Sequence, residues 1–198
     1  MPDNKELCWD LISSEEGPEL ILFKTRFDRV RNPRNGKEMK AVILEASDWV
    51  NVIPVTPEGR IVAVRQYRFG AGTVTTEIPA GMVDEGEDQG DAAARELFEE
   101  TGYTSLDWTY LGWVQPNPAF IDNVCHHWLA RDVKKTGDPK PDEFEDLEVL
   151  ELAPGDIRAE IASGRMRNSL AITALTNVFD LRLSDLSQAP EAKTVPGR

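Results

Sequence analysis

The sequence is poor in cysteine and histidine, with two of each among 198 residues. Cys8 and Cys125 have no paired spacing and no thiolate-stabilising cluster beside them, which excludes a disulfide framework and argues against a catalytic thiol. His126 and His127 are adjacent in a strand-like stretch, so their side chains point to opposite faces and do not make a two-histidine metal site. Basic charge is scarce as well. Lys and Arg number 22 against 35 Asp and Glu, a net charge of −13, which disfavours duplex nucleic acid and anionic membranes as partners. No apolar run approaches the length of a bilayer span, and the start MPDNKELCWD lacks a basic segment followed by an apolar one. The expectation is a soluble protein of the reducing cytoplasm, and no segment repeats.

What is present is enough apolar material for one sizeable domain: 40% hydrophobic residues, five of them tryptophan. The first half reads as strands, in CWDLIS, PELILFKTRFDRV, EMKAVILEA and DWVNVIPV, broken by turn formers such as Asn32-Pro33-Arg34-Asn35-Gly36. Pro57-Glu58-Gly59 predicts a tight turn, with RIVAVRQY returning as the second arm of a hairpin. A short strand at Thr75–Ile78 leads to Pro79-Ala80-Gly81, then to the acidic loop DEGEDQG and a helix that Asp88 or Asp91 could cap. The apolar side of that helix is Ala93, Ala94, Leu97 and Phe98. Strand signal resumes in WTYLGWV, NVCHHWLARDV and LEVLEL, followed by helices at Ile157–Ser163 and from Leu170 to about Leu183. The order predicts an α+β domain with mixed sheets: an N-terminal strand region over 1–46, the main domain over 47–185 and a flexible tail over 186–198.

The stretch RELFEETGY carries three carboxylates at the end of a helix that Gly102 stops. Glu99 and Glu100 sit where the helix dipole is negative, at a cost of about 0.3–1 kcal/mol, and like charges at i, i+4 add roughly 0.2–0.5 kcal/mol. Glu96, Glu99 and Glu100 share one side of the helix, with Arg95 as partial relief. Glu87 in the preceding loop adds a fourth carboxylate. The bland reading is a solvated acidic face; the functional one is an all-oxygen site for a hard divalent cation, magnesium first and manganese as the alternative. DEGEDQG lacks the twelve-residue pattern of a calcium-binding EF-hand loop.

Residues 81–103 resemble the Nudix box, G-x5-E-x7-R-E-U-x-E-E-x-G-U with U apolar, at every fixed position, with Leu97 at the first U and the larger Tyr103 at the last. Beyond the box, VRQYR, EIPAG, and Pro116 and Pro118 are similar to the branch that contains ADP-ribose pyrophosphatases and other nucleoside diphosphate sugar hydrolases. DWVNVIP and PNPAFIDN resemble a bacterial subgroup of it. Where the ADP-ribose enzymes usually carry a Ser-Pro-Gly-like turn, this chain has Asn117-Pro118-Ala119, which leaves the sugar open.

The resemblance implies a Nudix fold, with mixed sheets sandwiched between helices, and metal-dependent hydrolysis of ADP-ribose to AMP and ribose 5-phosphate. Another nucleotide sugar such as GDP-mannose, or a dinucleotide, is the alternative substrate, and a non-catalytic domain that senses nucleotide sugars is the rival from another class. It further implies Glu96 and Glu100 as primary metal ligands, Glu99 and the Ala80 carbonyl as further ones, Arg95 holding the carboxylates, and Glu87 orienting Arg95 or supporting the metal shell. The general base is expected in the acidic loop, at Glu143 with Glu145 as the alternative. Arg68 is expected on substrate phosphate and Glu77 lining the site, with Arg65 held by a structural partner. Phe27 or Trp49 is expected to contact the base, and the N-terminal strands to cross to a second subunit in a homodimer.

Overall fold

A computed structural model describes residues 7–181. Strands β1 (Asp10–Glu19), β2 (Lys24–Arg31) and β3 (Glu38–Glu45) form an antiparallel sheet in that order. The apolar run ELILF does not continue a strand as expected. Leu20, Ile21 and Leu22 form the exposed turn between β1 and β2, closed by the Leu20 amide donating to the Phe23 carbonyl at 2.7 Å.

The remaining strands are β4 (Trp49–Pro54), β5 (Ile61–Arg68), β6 (Thr73–Glu77), β7 (Ala80–Met82), β8 (Tyr103–Thr104), β9 (Asp107–Val114), β10 (Cys125–Arg131), β11 (Lys134–Lys135) and β12 (Glu148–Leu152). One sheet runs β7-β4-β10-β9, with β4 and β10 parallel; a second runs β12-β5-β6, and β11 pairs with β8. The hairpin expected across Pro57-Glu58-Gly59 is therefore not made. The tight turn itself forms, with the Thr56 amide donating to the Arg60 carbonyl at 2.8 Å, but pairing stops at the bridge Val55–Ile61, and β4 and β5 enter different sheets. The physical reason is burial on both sides: Ile61, Val62, Ala63 and Val64 are all fully buried, as befits a central strand between β12 and β6.

Among the described residues three helices cover these sheets: α1 (Gln89–Thr101), α2 (Pro154–Ser163) and α3 (Ser169–Thr176). Under α1, Ala92, Ala93 and Leu97 pack with Val50, Val52, Val62 and Ala130. On the other side, Ala171, Ala174 and Leu175 of α3 and Ile157 of α2 pack with Ile53, Ile61 and Leu129. The result is the expected sandwich of sheets between helices. Ala92, not Ala94, belongs to the buried side of α1, since the face turns toward β4 and brings Glu100 inward with Leu97. α3 ends at Thr176, short of the expected Leu183, and the tail predicted over 186–198 lies outside the described residues. Among the described residues no helix is long and apolar enough to cross a membrane.

Candidate active site

The site is built on the two ends of α1 and the strand that precedes it. Asp88, not Asp91, caps the helix: its side chain accepts from the Gly90 amide at 2.8 Å. At the other end Gly102, at φ 74°, turns the chain out of the helix in a left-handed conformation, and its amide donates to the Phe98 carbonyl at 2.7 Å. A side chain on Gly102 would strike the Gly137 carbonyl. Between these caps Arg95 gathers the acids. Its guanidinium donates to Glu87 through Nε and Nη2 at 2.9 Å each, to Glu96 at 2.8 Å, to Glu99 at 3.1 Å and to the Met82 carbonyl at 2.9 Å. Glu87 also accepts from the Asp84 amide at 3.1 Å, so it orients Arg95 and braces the loop into the helix. Arg95 holds Glu87 below the usual carboxylate range.

Glu100 is almost wholly buried, and its carboxylate accepts from the Ala80 amide at 3.2 Å. Burial and the neighbouring Glu96 push it well above the usual carboxylate range. Burial likewise lifts Glu96 to about 6 against the pull of Arg95, with Glu99 and Glu145 adding to the rise. Gly81 lies against Glu96: a Cβ there would collide with its carboxylate. Among the described residues no three carboxylate, imidazole or thiolate groups stand together as a finished metal cage, because Arg95 draws Glu96 and Glu99 to itself while Glu100 bonds the Ala80 amide.

A cavity of about 660 Å³ opens beside this cluster, lined among others by Trp49, Asn51, Arg68, Ala80, Gly81, Glu96, Glu99, Glu145 and Asn168. Arg68, the cation facing it from β5, is locked in a bidentate pair with Glu77 at 2.9 and 3.0 Å. Glu77 itself is buried and takes further bonds from Thr75 at 2.6 Å and Asn168 at 2.8 Å. Burial opposes its charge, yet Arg68 keeps it below the usual range. Glu77 is thus a support for Arg68 and not a lining group.

Of the acidic loop, Asp142 and Glu145 line the cavity, whereas Glu143, the first expectation for the base, is exposed and outside the lining. The negative charge of Glu145 acts on Glu96, Glu100 and Arg68, which places it among them. Trp49 reaches the cavity. Phe27 does not: within one chain it lies in a separate hollow of about 370 Å³ on the N-terminal sheet, under the Lys40 ammonium at 4.2 Å from its ring centroid. Arg65 pairs with Glu148 and Glu160, away from the lining, as expected of a structural arginine. The sequence reading missed Asn51 and Asn168. A single amide inside the apolar run DWVNVIPV was the available signal for Asn51. Asn168 carried only the signature of a helix cap, which it also is, accepting from the Leu170 amide at 3.0 Å.

Comparison with known proteins meets this geometry from outside. Residues 48–169 match the NUDIX domain. The chain is similar to an ADP-ribose pyrophosphatase of Bacillus subtilis, at 37% identity over 62% of this chain and 66% of the relative. It is also similar to a methanol dehydrogenase activator of Bacillus methanolicus, at 35% identity over 78% and 83%. A crystal structure of an ADP compounds hydrolase shares the fold with a TM-score of 0.75 at 20% identity, covering 86% of this chain and 91% of that one. With the box glutamates on α1, their arginine clamp and a domain match that spans the catalytic core, the chain belongs to the Nudix family.

Proposed function

We propose that the protein hydrolyses the diphosphate bond of nucleoside diphosphate sugars, with ADP-ribose as substrate and AMP and ribose 5-phosphate as products. The observation that carries this reading is the meeting of Glu96, Glu99, Glu145 and Arg68 around one cavity large enough for a dinucleotide-sized ligand. The similarity to an ADP-ribose pyrophosphatase supports the choice of substrate.

Nudix hydrolases generally need a divalent metal ion. The residues present fit one. Two neighbouring carboxylates, Glu96 and Glu100, are driven toward protonation by burial and by the negative charges around them, Glu96 on Glu100 and Glu99 and Glu145 on Glu96, the condition that a hard cation relieves. Glu96, Glu99, Glu100 and the Ala80 carbonyl would hold it, with Glu87 behind Arg95, and magnesium suits an all-oxygen donor set, manganese being the alternative. Such an ion, when bound, withdraws charge from phosphate oxygens and makes a ligated water more acidic.

The chain's own groups do the rest. Arg68, held rigid by Glu77, offers the guanidinium donors it has left to a substrate phosphate, so little side-chain freedom is lost on binding. Arg95 fixes the rotamers of Glu96 and Glu99. Glu145, on the cavity lining, takes the proton of the attacking water, which its place supports over that of Glu143. Trp49 offers its ring to the substrate base. The protein acts in the cytoplasm as a homodimer joined through the N-terminal sheet.

The test is a panel of ADP-ribose, ADP-glucose, GDP-mannose, UDP-glucose, NADH, diadenosine polyphosphates and nucleoside triphosphates with magnesium, with the products identified. ADP-ribose should give the highest kcat/KM. Glu100→Gln should fold and lose at least about a hundredfold in kcat. Wild-type turnover by that variant, or inertness of the wild type toward the whole panel, refutes the reading.

A further inference from the structure

The cavity lining includes a buried polar side chain whose amide nitrogen has no partner among the described residues. Asn51 is 3% exposed on β4, in an otherwise apolar strand, and its Nδ2 is buried with no hydrogen bond among the described residues. Asn51 nevertheless lines the cavity beside Trp49 and Ala80. On the neighbouring strand β10, His127 stands directly opposite Asn51 in the parallel register, on the same face, and is 1% exposed. Its Nε2 is likewise buried without a partner.

Two orphaned nitrogens on paired positions of neighbouring strands are each costly to leave without a bond. One rotation resolves both. The Asn177 amide nitrogen of the segment after α3 lies 3.5 Å from His127 Nδ1. With the Asn177 amide nitrogen as the donor, Nδ1 accepts and the neutral ring carries its proton on Nε2. That N–H needs an acceptor. Turning the Asn51 amide through half a turn exchanges its two ends, so that the buried position holds the acceptor Oδ1 on the strand beside His127 and the Nδ2 donors take the other position, on a residue that lines the cavity. Burial holds His127 below the usual imidazole range, with His126 adding to it, so the neutral ring is the form that completes this chain of bonds.

Asn51 pairs with Ala80 in the β4–β7 register, and Ala80 donates to Glu100; Asn51 is therefore one step from the diphosphate end of the cavity. In a nucleoside diphosphate sugar, the groups bonded directly to the diphosphate are sugars on both sides. We propose that Asn51 donates an amide hydrogen bond from the cavity lining to an oxygen of a sugar joined to the substrate diphosphate, held in that orientation by His127. Asn51 is then a specificity-determining residue and His127 a positioning one. The inference rests on the nucleotide-sugar reading of the site, but its test separates the two.

Calorimetry with magnesium present compares the α,β-methylene analogue of ADP-ribose, which resists hydrolysis, with methylenediphosphonate, which has no sugar. Asn51→Leu should bind the analogue about tenfold more weakly or worse and change less than about twofold toward methylenediphosphonate. Asn51→Ala gives the same comparison should the leucine variant fold poorly. Unchanged affinity for the analogue, equal loss for both ligands, or no binding of the analogue by the wild type overturns the inference. Binding without hydrolysis of ADP-ribose refutes the catalytic reading and leaves the contact standing; normal hydrolysis of ADP-ribose by Asn51→Leu with unaltered KM does the reverse. Long-range proton–nitrogen NMR of the wild type should show His127 neutral at pH 7 with its proton on Nε2. A charged ring, or a proton on Nδ1, removes His127 from the account.

Discussion

Glu143 and Glu145 are two residues apart in one acidic loop, and nothing in their chemistry separates them; only placement does. Glu145 lines the cavity with Glu96 and Glu100 in reach of its charge, while Glu143 stands outside the lining. A general base contributes about 10²–10⁴-fold, so Glu145→Gln should lower kcat by that order with KM little changed, and Glu143→Gln should stay within about twofold of the wild type. Steady-state rates of the two variants against ADP-ribose decide it, and the reverse ranking would return the role to Glu143. Sequence reasoning could find the loop but not choose within it, because a loop has no periodicity from which to read facing. The same limit explains Glu77. Its charge and its position before Pro79 suggested a lining residue, yet the chain spends it on Arg68, Thr75 and Asn168.

At the scale of the element, α1 was legible because its signals are local. The cap at Asp88, the stop at Gly102 and the i, i+3, i+4 spacing of Glu96, Glu99 and Glu100 are all fixed by residues near in sequence. Strand partners were not legible. β4 and β5 are separated by a perfect turn and still join different sheets, since the partners of β5 come from residues 73–77 and 148–152. Leu20-Ile21-Leu22 looked like strand by composition and is a turn, because register with β3 decides where β2 begins.

The acids at the end of α1 carry a consequence for stability. Glu96 has a folded-state value of about 6 against an ordinary 4.5, so the folded metal-free protein binds more protons than the unfolded chain across that interval. Stability then falls as pH rises from about 4.5 to about 6, by on the order of 1–2 kcal/mol, and Glu100 extends the fall to higher pH. His127, held low by burial, contributes the opposite slope below about 6.5, so a variant must be compared with the wild type to isolate the acids. In EDTA, Glu100→Gln should melt above the wild type at pH 7 and approach it at pH 5. With magnesium the wild type should gain several degrees and the variant little. A metal-free variant that melts below the wild type at pH 7 would contradict the burial of an ionised carboxylate at this place.

For the molecule as a whole, the N-terminal sheet is the part that a single chain does not explain. β1, β2 and β3 pair with one another, and β3 joins the catalytic domain through the bridge Leu44–Ile121. Leu11, Ile12, Met39 and Val42 remain exposed on it, beside the exposed turn of Leu20, Ile21 and Leu22. Apolar surface of that kind costs free energy in water and is the usual mark of a partner surface. Phe27, which lies outside the cavity of its own chain, sits on this same sheet, so a second copy is the means by which it could meet a substrate base. Light scattering at micromolar concentration should give twice the mass of the chain. Replacing Leu11 and Val42 together by glutamate should shift the protein toward monomer while leaving the catalytic domain folded, since neither side chain belongs to its two cores. If Phe27 serves the partner's cavity, that monomer should also show a raised KM for ADP-ribose with a smaller change in kcat. If it is a wall of the hollow and nothing more, dissociation should leave KM where it was, and a wild type that scatters as a single chain would end the dimer assignment altogether.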